Sequence, residues 1–291
     1  MLISTPQTAV RRPRRVAVGE FDGVHLGHVA VIADADTVLT FEPHPRAVVG
    51  PTGAPELLTT LAQKTDLIEA LGVKELIVAE FNEEFSQMSP SEFVGEILVD
   101  ALNAEEVRVG ENFRFGRRAE GNSDTLKADS RFKTVVADLI GAEGALISSS
   151  AIRDLVRAGD VESARAMLGH PFQMRGEVIH GAKRGRELGY PTANLLPVPG
   201  CVVPKNGVYA ALANGRPAAA SLGVRPTFDD GEDVVLEVFI LDFAGDLYGQ
   251  ELSVDLLAHL RPELRFESLE ELTDQMALDC EAAATVAAKQ G

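Results

Sequence analysis

The chain has 291 residues, 45% of them hydrophobic, and a formal net charge of −17. That length is a soft prior for about two domains. No apolar run approaches the ~18 residues that cross a bilayer, and the acid excess argues against a nucleic-acid polymer, which needs a broad basic surface. Cys201 and Cys280 are too few for a disulfide framework or a cysteine metal cluster, and they fit a reduced, cytoplasmic compartment.

In chain order, "RRPRR" (Arg11 to Arg15) lacks the apolar segment a targeting signal needs and reads as a basic tail before the first strand. "RVAVGEF" then predicts a buried strand and "HVAVIADA" a short helix. "DTVLTFEP" predicts a strand, "LLTTLAQKTDLIEALG" a helix, "ELIVAEF" a strand and "SPSEFVGEILVDALN" a helix. "EEVRVG" and "FKTVVADLI" are further strands, and "SSSAIRDLVRAGDVESARAMLG" is helical with serines placed to cap its start. Such alternation indicates a parallel sheet covered by helices. After about Pro171 the runs "QMRGEVIHG", "GVYAALA", "RPAAASLGV", "DVVLEVFILDF" and "QELSVDLLAHL" are short, β-like and separated by turn residues, the pattern of a small antiparallel barrel. A helix, "SLEELTDQMALDCEAAATVAAK", closes the chain. The expected domains are 1–170 and 171–291.

Two stretches are dense in chemistry. In "GEFDGVHLGH", Gly19, Gly23 and Gly27 let the backbone approach a ligand, and the motif sits where a strand turns into a helix. His25 and His28 are three apart, so on a first helical turn they share a face and can donate to phosphate oxygens near the positive end of the helix dipole. Metal ligands and plain turn histidines are the competing readings, though no third ligand lies nearby. The second stretch is "GAKRGRELGYPTANL", in which Gly181, Gly185 and Gly189 alternate with Lys183, Arg184 and Arg186. A glycine-rich loop with cations can wrap a pyrophosphate, and this one lacks the ending of a Walker A loop. Thr192 and Asn194, two apart, face one side of an extended segment and are oxygen ligands suited to Mg²⁺, against the plainer reading of a Thr/Asn turn. Local basic islands in an acidic chain suit a small phosphorylated ligand.

The sequence resembles the bifunctional riboflavin kinase/FMN adenylyltransferases, the bacterial FAD synthetases. In the first half the resemblance rests on "GEFDGVHLGH", "LTFEPHP" (Leu39 to Pro45), "FSQMSPSEFV" (Phe85 to Val94), "VGENFRFGRRAEG" (Val109 to Gly121) and "SSSAIR" (Ser148 to Arg153). In the second half it rests on the P-T-A-N signature, "GVYAA" (Gly207 to Ala211), "SLGVRPTF" (Ser221 to Phe228), "LEVFILDFAGDLYG" (Leu236 to Gly249) and "LRPELRFESLEEL" (Leu260 to Leu272). The resemblance implies an α/β nucleotidyltransferase domain, Rossmann-like, followed by a flavokinase barrel with a C-terminal helix. ATP and flavin would be the substrates and Mg²⁺ the metal, with no nucleic acid or membrane as partner.

Carried over by residue, the motif with Gly19, Phe21 and Gly23 would bind nucleotide, and His25 and His28 would hold ATP phosphates, His28 also acting in catalysis. Asn112 and Arg117 would lie near nucleotide and FMN. Ser149, Ser150 and Arg153 would grip phosphates at a helix start, Arg153 also acting in catalysis. Thr192 and Asn194 would hold MgATP, and Glu237 would be the base toward the ribityl 5′-hydroxyl. The plainer readings are a surface arginine for Arg153 and a solvent-facing strand carboxylate for Glu237.

Several positions depart from the family pattern. Ser150 stands where threonine is frequent, Leu57 where arginine is frequent, and Phe239 where histidine is frequent. Only Val29 to Asp36 separates His28 from the next strand. That short connection motivates a second reading, a riboflavin kinase whose first domain only binds ligand. A third is a non-catalytic flavin-responsive regulator.

Overall fold

The computed structural model describes residues 1–51, 53–138, 141–142, 145–180, 190–226 and 232–289. The chain divides into two compact units, Met1–Ser149 and Ser150–Gly291.

The first unit is built on a six-stranded parallel sheet. Its strands are β1 (Leu2–Ser4), β2 (Arg14–Val18), β3 (Thr37–Glu42), β4 (Glu75–Glu80), β5 (Ala104–Gly110) and β8 (Lys133–Ala137), in the order β1-β4-β3-β2-β5-β8. Strand order reverses beside β2, the switch point at which open α/β sheets bind ligands. The strands are near-continuous apolar runs because both faces are covered. Val16, Val18, Leu39, Ile77, Val107 and Val109 point to one core, and Ala17, Val38 and Leu76 to the other. Strand β1, the N-terminal edge, escaped the sequence reading because three residues carry too little period.

The short connection after His28 is accommodated. Helix α1 (Leu26–Ile32) draws its first turn from the motif itself, and Val16 of β2 pairs in parallel with Thr37 of β3. Seven residues are about two helical turns, enough to return to the sheet.

Helix α2 (Pro45–Val49) follows β3. Helix α3 (Leu61–Ala70) starts at a capping box between Thr60 and Gln63. After α4 (Glu83–Ser86), the predicted helix over 89–103 begins as α5 (Pro90–Glu92), also with a capping box, and continues as a π-helix over Phe93–Ala101. A hairpin of β6 (Arg114–Phe115) and β7 (Gly121–Asn122) encloses a 3₁₀ turn at Arg117–Ala119 and leads into α6 (Ser123–Lys127). A further small hairpin joins β9 (Gly141–Ala142) to β10 (Ala145–Leu146).

One expectation is corrected. The "RRPRR" stretch is no loose tail, since Arg14 opens β2 and is 1% exposed. Its guanidinium donates to both carboxylate oxygens of Glu75, at 2.9 and 3.1 Å, and to the carbonyls of Leu102 and Val10 at 2.8 and 2.7 Å. A charge can be buried so deeply only when such partners satisfy it.

Helix α7 (Ser149–Ala158) begins on the last residue of the first unit and otherwise belongs to the second, and α8 (Val161–Leu168) follows, where one helical stretch was predicted; Gly159, at φ 83°, breaks it, and Asp160 caps α8. Six antiparallel strands follow: β11 (Phe172–Glu177), β12 (Ala193–Leu195), β13 (Gly207–Ala213), β14 (Arg216–Pro226), β15 (Glu232–Ile240) and β16 (Glu251–Arg261). Their order is β11-β16-β13-β14-β15-β12. A bridge between Ile179 and Asn194 links the two ends, so the sheet curls into a nearly closed barrel. The C-terminal helix α9 (Leu269–Ala288) starts at the Ser268 cap and packs Ala283 and Ala287 beside Ala210 and Leu257.

Candidate active sites

In the first unit the motif loop leaves the end of β2 and is tightly tied. Gly23 has φ 81°, and Phe21 and Val24 on either side are also left-handed at 53° and 39°, a strain that neighbouring bonds must hold. The buried Asp22 carboxylate supplies them. It accepts from the backbone N–H of Leu58 at 2.9 and 3.1 Å and of Thr59 at 3.1 Å. In return the Thr59 hydroxyl accepts from the N–H of Gly23 at 3.0 Å. Ser149 Oγ donates to the Asp22 carbonyl at 3.0 Å, bringing the last predicted segment of this unit to the same loop.

His25 caps α1, its Nδ1 accepting from the N–H of His28 at 3.3 Å. That places the ring hydrogen on Nε2. The rings of His25 and His28 stack with centroids 3.5 Å apart and 16° between planes. Gly27 permits this, because a Cβ there would meet the His25 ring at 3.1 Å. Phe21 is buried and sets its ring edge-on to His28 at 5.3 Å. A Cβ on Gly19 would strike that phenyl ring at 2.9 Å. Burial, then the charges of His25 and Lys64, holds His28 well below the usual histidine range, so it is neutral at pH 7. Its buried Nδ1 has no hydrogen-bond partner among the described residues.

Sequence reasoning passed over Glu20 and Lys64. Lys64 falls on the apolar stripe of α3, between Leu61 and Ile68, where a lysine requires a buried counter-charge, and that was the available signal. Its ammonium donates to Glu20 Oε1 at 3.2 Å. Burial pushes Glu20 up to about 7, with Lys64 opposing and the charges of Asp22 and Glu42 adding to the rise. Asn112 and Arg117 are exposed, Asn112 just past β5 and Arg117 on the turn of the β6–β7 hairpin, where its N–H donates to the Met88 carbonyl at 2.7 Å. Ser150 and Arg153 belong to the first turns of α7 in the second unit, and Arg153 is buried rather than on the surface.

In the second unit, Gly181, Lys183, Gly185 and Gly189 lie outside the described residues. Thr192 is half-buried just before β12. Asn194 is buried, its Nδ2 donating to the Thr192 carbonyl at 3.3 Å while its Oδ1 has no partner among the described residues. Directly across the antiparallel ladder stands Glu237, itself half-buried, with Ser221 on its other side. Strand pairing thus joins two residues that are 43 apart in the chain. Tyr190 and Phe239 meet edge to face with centroids 5.0 Å apart. An uncommitted amide oxygen beside a hydroxyl and a carboxylate is a donor set for a hard, oxygen-seeking cation. Among the described residues no group of three or more His, Cys, Asp or Glu could hold a metal ion.

Two family models divide the chain: that of FAD synthetase matches residues 7–151, and that of riboflavin kinase residues 168–287. The chain belongs to the bifunctional riboflavin kinase/FMN adenylyltransferase family. A relative of that description from Listeria monocytogenes is 40% identical over 91% of this chain and 89% of its own length. Those from Bacillus subtilis and Escherichia coli are 37% and 35% identical, each over 91% of this chain and 89% and 90% of their own. A solved structure from Streptococcus pneumoniae, described as a macrolide-efflux protein, superposes with TM-score 0.87 at 30% identity, over 98% of this chain and 99% of that one. Among the described residues of this chain no helix is long and apolar enough to cross a membrane. Both catalytic domains are present, and nothing in these likenesses favours a chain with kinase activity alone.

Proposed function

We propose that the barrel phosphorylates riboflavin to FMN and that the α/β domain, running to about residue 170, adenylylates FMN to FAD. In the first reaction the ribityl 5′-hydroxyl attacks the γ-phosphorus of ATP, its proton passing to Glu237, and ADP leaves. In the second a phosphate oxygen of FMN attacks the α-phosphorus of a second ATP, and pyrophosphate leaves. Both reactions depend on positioning and on neutralising charge around phosphorus.

In the kinase the observation that carries the assignment is the cross-strand pair of Asn194 and Glu237, with the buried Asn194 Oδ1 left without a hydrogen-bond partner among the described residues. The residues fit Mg²⁺, which Thr192 and Asn194 would hold; when bound it neutralises phosphate charge. Lys183 and the glycines Gly181, Gly185 and Gly189 are assigned to the nucleotide on the sequence pattern. In the adenylyltransferase the stacked His25 and His28 are assigned as donors to the triphosphate, and Ser149, whose hydroxyl donates to the Asp22 carbonyl, is assigned to the site through the family motif. Ser150, Arg153, Asn112 and Arg117 are assigned through the family motif. We place the enzyme in the cytoplasm, where ATP is supplied and a chain with two cysteines needs no oxidising compartment.

The test incubates the full chain with ATP and Mg²⁺, once with riboflavin and once with FMN, and separates the flavins by chromatography. FAD from both is expected. FMN from riboflavin with added FMN left untouched would restore the kinase-only reading, and no product from either would overturn both assignments.

A further inference from the structure

Two glutamates of the first unit answer buried cations in opposite ways. Glu75, at the start of β4, accepts from four donors: Arg14 Nε and Nη2, Arg12 Nη2 and Ser4 Oγ, at 2.9, 3.1, 2.7 and 3.1 Å. Burial alone would raise it, yet these partners hold it below the ordinary carboxylate range. Its ion pair is saturated. Glu20, inside the histidine motif, has one donor. Lys64 Nζ reaches Oε1 at 3.2 Å, while the buried Oε2 has no hydrogen-bond partner among the described residues. The Lys64 side chain is only 4% exposed, so it cannot exchange its partner for bulk water. It is held in place by the start of α3, which the Asp22 clamp at Leu58 and Thr59 ties to the motif loop. Its charge also acts on His28. A buried ammonium whose charge reaches His28, and whose counter-ion has one oxygen without a partner among the described residues, is arranged to change partners.

We propose that Lys64 is a phosphate-contacting residue of the adenylyltransferase site, and that Glu20 is its resident counter-ion, displaced when the ATP triphosphate arrives. The inference rests on the first unit being the adenylyltransferase. Triphosphate supplies more charge and more acceptor oxygens than one carboxylate, so it wins Lys64. Glu20, left among Asp22, Glu42 and the incoming phosphates with its cation withdrawn, then takes up a proton. Ionised Glu20 therefore competes with ATP, and protonated Glu20 does not.

The test follows FAD formation from FMN by the full chain between about pH 6 and about pH 9, which brackets the Glu20 transition. In the unaltered chain KM for ATP climbs as pH rises through about 7. Glu20→Gln flattens that climb, and the titration of ATP itself is common to both chains and cancels in the comparison. Lys64→Met raises KM for ATP about tenfold or more, the cost of a charge-assisted hydrogen bond, and Lys64→Arg recovers most of it. FMN formation from riboflavin by the same preparations reports that the chain is folded. If Lys64→Met fails to fold, the Glu20→Gln profile decides alone. KM for ATP within about twofold in Lys64→Met, or a climb that persists in Glu20→Gln, overturns the inference. An unaltered chain that makes FMN but never FAD overturns the adenylyltransferase assignment with it, whereas FAD made equally well without Lys64 overturns this inference alone.

Discussion

Replacing Asp22 by alanine isolates the clamp that holds the histidine motif. The carboxylate is 2% exposed and accepts from the N–H groups of Leu58 and Thr59, both themselves buried. Alanine leaves those two donors without partners in a place water does not reach. Each orphaned donor costs about 1–3 kcal/mol, so the first unit should lose about 2–6 kcal/mol. Asparagine can keep one acceptor oxygen toward both donors, because Oδ1 alone lies within 2.9 and 3.1 Å of them. It forfeits the charge, and about 1–3 kcal/mol is the expected loss. The functional effect should follow the clamp. Gly23 and the left-handed Phe21 and Val24 relax once Thr59 is released, and His25 and His28 lose their alignment. FAD formation from FMN should therefore fall in the order Asp22→Ala below Asp22→Asn below the unaltered chain, while FMN formation from riboflavin persists. Thermal unfolding and flavin chromatography on the same samples check both halves. An Asp22→Ala chain that unfolds within about 0.5 kcal/mol of the parent and makes FAD at the parent rate would refute the reasoning.

Arg14→Met should destabilise the first unit by about 3–5 kcal/mol, since it strands a buried Glu75 carboxylate, and denaturant unfolding measures it. Glu75 is held below its ordinary value in the folded chain, so it contributes stability above that value and loses it as pH falls through the folded one. The acid limb of a stability profile should be shallower in Arg14→Met. Glu237→Gln should lower FMN formation by about 10²-fold or more and leave FAD formation from supplied FMN unchanged, the size expected for a lost general base. His28→Ala should do the converse, lowering FAD formation by about 10²-fold with kinase turnover intact.

The alternation of apolar runs in the first half and their short spacing in the second made the layer order and the barrel legible, because each strand is long enough to show its period. The three residues of β1 and the Gly159 break inside one helical run were not, since neither changes the local pattern enough. Arg14 was misread for a physical reason. A cationic run at a terminus is usually solvated, and only the register of β2 against β5 and the long reach to Glu75 bury it. His25 and His28 showed their common face through spacing alone. Glu20 and Lys64, 44 residues apart, become partners only through the fold. Asn194 and Glu237 are neighbours through strand pairing, which no local period encodes.

The first unit separates its two demands along the strand direction. At the N-terminal ends of the strands, Arg12, Arg14, Asp36 and Glu75 form a closed network in which the buried charges are answered several times. At the C-terminal ends, Glu20 Oε2 and His28 Nδ1 are left without hydrogen-bond partners among the described residues, and the loop after β2 is held in strained conformations. A parallel sheet permits this division because every strand ends on the same side, so one edge can be satisfied for stability while the other is left open. The open edge is stable only because the clamp of Asp22 and the capping box of α3 hold it from behind. The two edges should therefore respond differently to substitution. Removing a partner from the saturated edge should lower stability with little change in the affinity of folded chain for ATP. Removing Glu20 from the open edge leaves the buried Lys64 ammonium facing at most an amide oxygen, so Glu20→Gln should cost about 1–3 kcal/mol, less than Arg14→Met, and change the affinity for ATP. A Glu20→Gln chain that unfolded as early as Arg14→Met would show that the open edge too is structural.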